Sequence, residues 1–262
     1  MEFMARRLGK RKSPSRDKYM LKEQRKVDSG IFDERTMKYL SKFYNKGVVE
    51  KLESIIARGK EADIYLAVPG NSDLVKDIGM LVLKFFRIET TSFFTMADYI
   101  TGDPRFSKKI SRNKKVGIAQ VWCQKEFGNL EIAAKAGVNA PKPIMSHGSI
   151  LAMELIEEDG APAPQLRDVD VYDPDRMLAD ILDNIRKLYL RELVHADVSE
   201  YNILVKDEGR IPYFIDFGQA VTLEHPNAST FLKRDIRNIV SYFAKRYKTK
   251  MSYEEAIKTV IS

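Results

Sequence analysis

The chain has 262 residues, of which 44% are hydrophobic and 31% are charged, which is the composition of a globular protein with its own core. No run of about 18 apolar residues occurs, so we expect no membrane-spanning segment. The first residues lack the apolar core of a secretory signal. The single cysteine, Cys123, excludes an internal disulfide framework and favours a reducing, cytoplasmic location.

The net positive charge lies at the start of the chain. Residues 1–26 contain ten lysine and arginine residues against three acidic ones, and this net charge of +7 equals the formal charge of the whole chain. Clustered like charges resist packing and attract phosphate backbones. We therefore predict a basic arm over residues 1–30, which is either a solvated tail or a nucleic-acid-binding arm.

The next part of the chain predicts a small, mostly β lobe with one main helix. Apolar residues at helical spacing predict a helix within residues 31–47, ending at Gly47. We then expect a strand, a glycine turn and a second strand up to residue 67, and a third strand over residues 80–86. The main helix is predicted from residue 119 to about residue 136, and a buried strand over residues 150–156. Together, residues 48–156 form the predicted N-terminal lobe.

An irregular insertion interrupts this lobe at about residues 87–118. So long a stretch without a regular pattern is usually functional or mobile. Ser107 and Ser111 lie there beside lysine and arginine residues that could pair with a phosphate group. The two serines are therefore candidate phosphorylation sites.

Residues 157–262 predict a second, mostly α-helical lobe. A proline-bearing linker opens it, and an amphipathic helix is expected over residues 175–191. Short strands follow on each side of a polar loop, and two further helices are expected over residues 231–247 and 253–261. The fold class is therefore α+β, with a cleft between two lobes.

Two motifs in the second lobe point to phosphoryl transfer. Residues 195–202 have the spacing H-x-D-x-x-x-x-N, and residues 216–218 are D-F-G. In that pattern Asp197 orients the attacking hydroxyl and accepts its proton, while Asn202 and Asp216 hold Mg²⁺ ions that bridge the phosphates of ATP. Mn²⁺ is an alternative metal. Each motif alone is a modest signal, whereas the pair in this order is a strong one.

Lys84 is the one charge in the predicted third strand. Burying its ammonium without a partner costs several kcal/mol, so we expect an ion pair. Glu126 on the main helix is the expected partner, and the alternative, Glu131, lies on a different helix face. Paired in this way, Lys84 would contact the nucleotide phosphates as a catalytic and ATP-binding residue.

Other candidate nucleotide contacts are weaker. Gly59 and Lys60 form a turn whose backbone N–H groups could cover phosphates, although only one glycine is present. The backbone of Glu154 and Ile156 could bind an adenine edge at the end of the buried strand. Ser199 could donate one hydrogen bond where many protein kinases place a lysine.

Two further residues could support residues 195–202, which we call the motif loop. We expect His195 to brace the loop by hydrogen bonding rather than to transfer protons. Asp235 is either a brace for the loop backbone or a carboxylate on a helix surface. Only about fifteen residues separate Gln219 from Asp235, so we expect no long activation segment and no peptide-binding platform.

The chain resembles the RIO protein kinases, an atypical kinase group, and within it the type-one branch of archaea. The resemblance covers about residues 30–250 and rests on G-K-E-A-D-I-Y (59–65), Y-I-T-G-D-P-R-F (99–106), W-C-Q-K-E-F (122–127), H-A-D-V-S-E-Y-N (195–202) and I-D-F-G-Q-A-V (215–221). The second of these segments separates type one from type two.

This resemblance implies a small kinase fold that binds ATP and Mg²⁺ between its lobes. It implies serine autophosphorylation, and an ATPase cycle in which Asp216 is transiently phosphorylated. It also implies a role in maturation of the small ribosomal subunit, whose precursor and RNA would be the partners.

Three functions therefore compete. The first is an ATP-dependent serine/threonine protein kinase with ATPase activity. The second is an assembly factor that binds RNA and pre-ribosomal particles and uses its nucleotide state as a switch. A small-molecule phosphotransferase shares the H-x-D-x-x-x-x-N spacing, but the segment 59–65 argues against it.

Overall fold

The structure, a computed structural model, describes residues 32–87, 99–100, 102–106 and 115–262. The predicted basic arm and the two candidate serines, Ser107 and Ser111, lie outside these residues. Among the described helices, none is both long and apolar enough to cross a membrane.

Helix α1 (Glu34–Asn45) opens the described chain, close to its predicted range. It begins at Asp33, whose carboxylate accepts the Thr36 N–H at 2.6 Å, as a helix N-cap does. Past its end, Gly47 has a φ of +66°, which only glycine adopts without strain. The helix buries its apolar face, including Leu40 and Phe43, against the sheet that follows.

A five-stranded antiparallel sheet forms the first lobe. Its strands are β1 (Val49–Arg58), β2 (Ala62–Pro69), β3 (Leu81–Phe86), β4 (Pro143–His147) and β5 (Ile150–Glu154). They lie in the order β1-β2-β3-β5-β4. Every residue of β3 is buried, which is why its sequence reads as an apolar run. The central position of β3 takes Lys84 into the interior of the lobe.

Helix α2 (Lys115–Ala136) joins the two lobes. It starts four residues before the predicted position and carries Trp122, Cys123 and Leu130, all fully or almost fully buried. These side chains belong to the same hydrophobic cluster as Phe217 of the second lobe. The helix is therefore packed against the second lobe as well as against the sheet.

The second lobe is mostly helical. Its elements are β6 (Glu157–Glu158), β7 (Ala161–Pro162), α3 (Pro174–Tyr189), β8 (Leu193–Val194), β9 (Ile203–Lys206), β10 (Ile211–Phe214), β11 (Val221–Thr222), α4 (Ala228–Tyr247) and α5 (Tyr253–Ile261). Hairpin β6–β7 leads into the lobe, and the three helices make up its bulk. Helix α3 begins at the Asp173 N-cap and has a proline at its first position. The short strand pairs β8–β11 and β9–β10 hold the polar loops between the helices.

The chain after the D-F-G motif is short. Between Asp216 and the start of α4 at Ala228, the only regular element is the two-residue strand β11. There is no room in this stretch for a long activation segment, as the sequence predicts. The fold is thus the predicted α+β arrangement of a β-sheet lobe and a helical lobe.

Candidate active site

Lys84 projects from β3 into the cleft between the lobes. It pairs in register with Ile64 of β2 and Leu151 of β5, so the sheet fixes its backbone on both sides. Its Nζ donates to both carboxylate oxygens of Glu126, each at 2.9 Å, and the Glu126 side chain is 1% exposed. The predicted ion pair is therefore present, and Glu126 rather than Glu131 is the partner.

The same ammonium also reaches across the cleft. Lys84 Nζ lies 2.9 Å from Oδ1 of Asp216, which belongs to the helical lobe. Burial lowers the pKa of Lys84, but Asp216 and Glu126 raise it by more, so the pKa lies above its usual range and the side chain stays charged. Burial raises the pKa of Asp216, whereas the Lys84 ammonium lowers it below the usual range.

Asp197 lies in the loop between β8 and β9, where two amide side chains hold it. Asn202 Nδ2 donates to Asp197 Oδ2 at 2.8 Å and to its carbonyl oxygen at 2.9 Å. Gln219 Nε2 donates to the same Oδ2 at 3.2 Å. Burial, and then the charge of Asp216, raise the pKa of Asp197 to about 6. Asp197 thus has a fixed orientation and a pKa close to neutral pH, as a general base requires.

Asp235 of α4 braces the motif loop. Its carboxylate accepts the N–H of Ala196 at 2.8 Å and the N–H of Val198 at 3.2 Å, and Asp235 is 1% exposed. Arg234 donates to the Ala196 carbonyl, and Ala196 has a φ of 63°, a conformation that needs such support outside glycine. Of the two roles left open for Asp235, the structure shows the brace.

His195 is a second brace for this loop. Its Nε2 lies 3.1 Å from the carbonyl oxygen of Ile215, which can only accept, so Nε2 carries the proton. Burial lowers the pKa of His195 to about 4, so the ring is neutral near pH 7. His195 therefore joins the motif loop to the residue before Asp216, as the sequence predicts.

Two residues of α2 that sequence reasoning missed hold the metal loop, which we define as residues 216–220. Lys125 Nζ donates to the Gly218 carbonyl at 2.9 Å and to the Ala220 carbonyl. Asn129 Nδ2 donates to the Phe217 carbonyl at 2.8 Å and to the Ala220 carbonyl at 3.0 Å. The available sequence signal was that Lys125 and Asn129 are polar residues close to Glu126 in a helix expected to be buried.

Glu61, beside the glycine turn, is a third residue that the sequence reasoning did not single out. Burial raises the pKa of Glu61, Asp216 and Asp197 raise it further, and Lys84 lowers it. Its carboxylate therefore lies close enough to the cleft to sense the other site charges. A carboxylate in a turn expected to cover phosphates is the signal that could have identified it.

The other candidate nucleotide contacts lie around the cleft. The turn closes through the Gly59 N–H, which donates to the Ala62 carbonyl at 2.8 Å, and Lys60 is exposed. Ser199 lies in the motif loop, where its carbonyl accepts the Asn202 N–H at 3.0 Å. The roles of Gly59, Lys60 and Ser199 at a nucleotide stay predictions.

Strand β5 ends at Glu154, where the adenine contacts are predicted. The Glu154 N–H donates to the Lys142 carbonyl at 2.9 Å, and the Ile156 carbonyl accepts the Ala163 N–H at 2.9 Å. Those bonds fix the backbone at the junction of the lobes. That the Glu154 carbonyl and the Ile156 N–H bind adenine stays a prediction.

The charges at the cleft fit a bound Mg²⁺ ion. Asp216 raises the pKa of both Asp197 and Glu61, so the carboxylates repel one another. Lys84, which lies 2.9 Å from Asp216, offsets part of this repulsion. Within the described ranges, no cluster of three or more His, Cys, Asp or Glu residues could hold a metal. Mg²⁺ typically takes one or two protein carboxylates and completes its shell with phosphate oxygens and water. Asp216 and the Asn202 amide oxygen match that donor set.

The two-lobed fold, with its buried lysine–glutamate pair facing a D-F-G aspartate, defines a protein-kinase-like fold. The RIO domain family model matches residues 63–256. The chain therefore belongs to the RIO family.

Named relatives support a kinase function. The chain is 36% identical over 246 residues to a RIO-type serine/threonine-protein kinase Rio1 of Haloferax volcanii, covering 92% of this chain and 81% of the relative. It is 37% identical over 240 residues to the Rio1 kinase of Methanocaldococcus jannaschii, covering 91% and 78%. A Rio1 kinase of Thermoplasma acidophilum is 43% identical over 166 residues, covering 63% and 85%.

Solved structures of a Rio2 kinase from Chaetomium thermophilum share the fold. The Rio2 kinase structure superposes with a TM-score of 0.65 at 26% identity, covering 86% of this chain and 67% of that chain. A complex of the same Rio2 kinase with ADP/Mg²⁺ and phosphoaspartate gives a TM-score of 0.62 at 25% identity, covering 86% and 66%. The chain thus spans about two thirds of the length of these Rio2 chains.

Proposed function

We propose that the protein is an ATP- and Mg²⁺-dependent serine/threonine protein kinase that phosphorylates itself and also hydrolyses ATP. The observation that carries this proposal is the position of Lys84, which bonds Glu126 in one lobe and Asp216 in the other, each at 2.9 Å. A buried ammonium between two carboxylates at a cleft is a natural site for the phosphates of ATP.

The residues of the cleft divide the work of phosphoryl transfer. As the serine oxygen of the acceptor bonds to the γ-phosphorus, the bond from that phosphorus to the ADP oxygen breaks, and the Asp197 carboxylate accepts the serine proton. Asn202 and Gln219 keep Asp197 oriented through its Oδ2. Lys84 places a fixed positive charge where negative charge develops on the phosphates. Mg²⁺, held by Asn202 and Asp216 when bound, would neutralise further phosphate charge.

ATP hydrolysis can proceed through Asp216, separately from transfer to serine. The related Rio2 kinase has been solved as a complex that contains ADP, Mg²⁺ and phosphoaspartate. We infer that the Asp216 carboxylate can likewise attack the γ-phosphorus, releasing ADP, and that water then cleaves the acyl phosphate. The free energy released when the acyl phosphate is hydrolysed could drive a conformational change in a bound partner.

Incorporation of ³²P from γ-labelled ATP tests this proposal. The wild-type protein should take up acid-stable label, as phosphoserine or phosphothreonine, in the presence of Mg²⁺, whereas Asp197→Ala and Asp216→Ala should abolish this labelling. Asp175→Ala, at an exposed position of α3, is the matched control and should label normally. Unchanged incorporation in both site variants would contradict the proposal.

A second candidate function is an RNA-binding assembly factor for the small ribosomal subunit, with ATP hydrolysis as its switch. Two observations favour it: all of the net charge lies within residues 1–26, and the chain after Asp216 is too short for a peptide-binding platform. Basic arms bind RNA backbones through counterion release. Under this proposal the protein is cytoplasmic, and its partners are the pre-ribosomal small subunit and its RNA.

A further inference from the structure

A cluster of four polar side chains, three of them fully buried, packs against the metal loop. Its members are Asp103, Arg105, Lys125 and Asn129. Asp103, Lys125 and Asn129 are all 0% exposed. Burying polar groups is costly unless they are hydrogen-bonded, so the cluster must have a complete set of partners.

Asp103 and Arg105 form a rigid unit. One oxygen of Asp103 accepts the backbone N–H and the Nε–H of Arg105, both at 3.0 Å, and the other accepts Nη2–H at 2.6 Å. This bidentate contact fixes the plane of the guanidinium. The unit belongs to the predicted insertion, yet its residues are anchored against the core of the protein.

Arg105 sets the orientation of Asn129. Arg105 Nη2 donates to Asn129 Oδ1 at 2.9 Å. A guanidinium has only donors, so it must face the amide oxygen, which turns the Asn129 amino group the other way. That amino group then meets the Phe217 and Ala220 carbonyls, which can only accept. The donor and acceptor of each hydrogen bond from Arg105 through Asn129 to the metal loop are therefore fixed by chemistry.

Lys125 reinforces the same contact from the neighbouring turn of α2. Its ammonium bonds the Gly218 and Ala220 carbonyls and lies 5.5 Å from the centre of the Trp122 ring. Burial lowers the pKa of Lys125 to about 7, and Asp103 opposes this fall. Three carbonyls of the metal loop are thus held by two side chains of one helix.

The loop needs this support because Asp216 has a φ of 63°, an uncommon conformation for a residue other than glycine. In ordinary protein kinases, the conformation of this loop depends on the activation segment that follows it. Here only a short chain separates Asp216 from α4.

We propose that Arg105 is a positioning residue for Asp216, acting through Asn129, and that the Asp103–Arg105 unit takes the place of an activation segment. Residues 102–106 of the insertion thereby help to set the metal-binding geometry of the cleft. This inference rests on the proposed function, since it assigns a support to the same site.

Calorimetric titration with ADP, in Mg²⁺ and in EDTA, tests the proposal. Arg105→Met removes the bond to Asn129. Asn129→Asp keeps the bond to Arg105 and the side-chain volume, but cannot donate to the Phe217 and Ala220 carbonyls. We expect both variants to lose about 10- to 100-fold of the affinity gained from Mg²⁺, as residues that orient metal ligands typically do. Affinity in EDTA should not change.

The matched control is Lys135→Gln, at the exposed end of the same helix. It should bind ADP as the wild type does under both conditions. Unfolding midpoints identify any variant that does not fold, and if Arg105→Met is one of them, Asn129→Asp decides the outcome. Equal losses in Mg²⁺ and EDTA, or no loss in Asn129→Asp, would overturn the proposal. A wild-type protein whose ADP affinity ignores Mg²⁺ would instead contradict the proposed function.

Discussion

Lys84 of the β-sheet lobe and Asp216 of the helical lobe are joined directly, with 2.9 Å between Nζ and Oδ1. This contact spans the cleft and places both residues where ATP phosphates and Mg²⁺ would have to bind. Glu126 also bonds the ammonium, so Lys84 would keep a carboxylate partner if Asp216 bound a metal ion.

Replacing Lys84 should separate stability from activity. Lys84→Met leaves the buried Glu126 carboxylate unpaired, which should lower the free energy of unfolding by about 3–5 kcal/mol and abolish ATP turnover. The double variant Lys84→Met/Glu126→Leu should recover much of the stability without any turnover, since it removes the unpaired charge. Chemical denaturation and an ATPase assay measure the two effects.

The control for this experiment is Lys38→Met, which removes an exposed lysine paired with Glu34 at 2.8 Å. It should leave both the unfolding midpoint and the turnover unchanged. A Lys84→Met protein that still hydrolyses ATP would rule out the assigned role of Lys84.

Asp235→Ala should destabilise the motif loop. The substitution orphans the N–H groups of Ala196 and Val198, both in the buried loop. Each orphaned donor costs about 1–3 kcal/mol. Asp235→Asn keeps one acceptor oxygen and should fall between Asp235→Ala and the wild type. Urea unfolding of the three proteins checks this order, and an unaltered midpoint in Asp235→Ala would show that the brace carries no weight.

The pH dependence of phosphoryl transfer should follow Asp197. Burial and Asp216 raise its pKa to about 6, and the protonated carboxyl cannot accept the proton of the attacking hydroxyl. Rates should therefore fall as the pH drops through about 6 and level off above about 7. Measuring kcat/KM from pH 5 to 8 at constant ionic strength tests this, and a flat profile down to pH 5 would contradict Asp197 as the base.

Deleting residues 1–26 should weaken RNA binding while leaving ATP hydrolysis intact. The deletion removes all of the net positive charge, so the affinity for a ribosomal RNA fragment should fall and depend less steeply on salt. Replacing the ten basic residues of the arm by glutamine should have the same effect, because charge rather than length is responsible. Filter-binding titrations at several salt concentrations measure it, and equal affinity with and without the arm would refute the RNA-binding role.

Much of the fold could be predicted because its main signals are local. Apolar periodicity located α1 and α3, and a nearly continuous apolar run located the buried strand β3. A lysine inside that strand required a carboxylate partner such as Glu126. The motif spacing assigned Asp197, Asn202 and Asp216 to one loop system. These inferences depend on neighbours in sequence or on the high cost of a buried charge.

What the sequence did not reveal depends on contacts between distant parts of the chain. Lys125 and Asn129 bond backbone carbonyls in the metal loop. Every residue has a backbone carbonyl, so the sequence cannot indicate which ones accept these bonds. Asp235 could not be assigned because a helix carboxylate can face either the solvent or a loop, and only packing decides. Ser107 and Ser111 lie outside the described residues, so their modification stays a prediction.

The central claim concerns one site that transfers the γ-phosphoryl group of ATP. It is formed by Lys84, Asp197, Asn202 and Asp216. Single-turnover rapid-quench measurements on the wild type and Asp197→Asn, with ATP affinity measured separately, test it most directly. We expect similar ATP affinity in the two proteins and a rate constant for serine phosphorylation that is lower by about 100-fold or more in Asp197→Asn, the range expected for loss of a general base. Equal rate constants in the two proteins would contradict it.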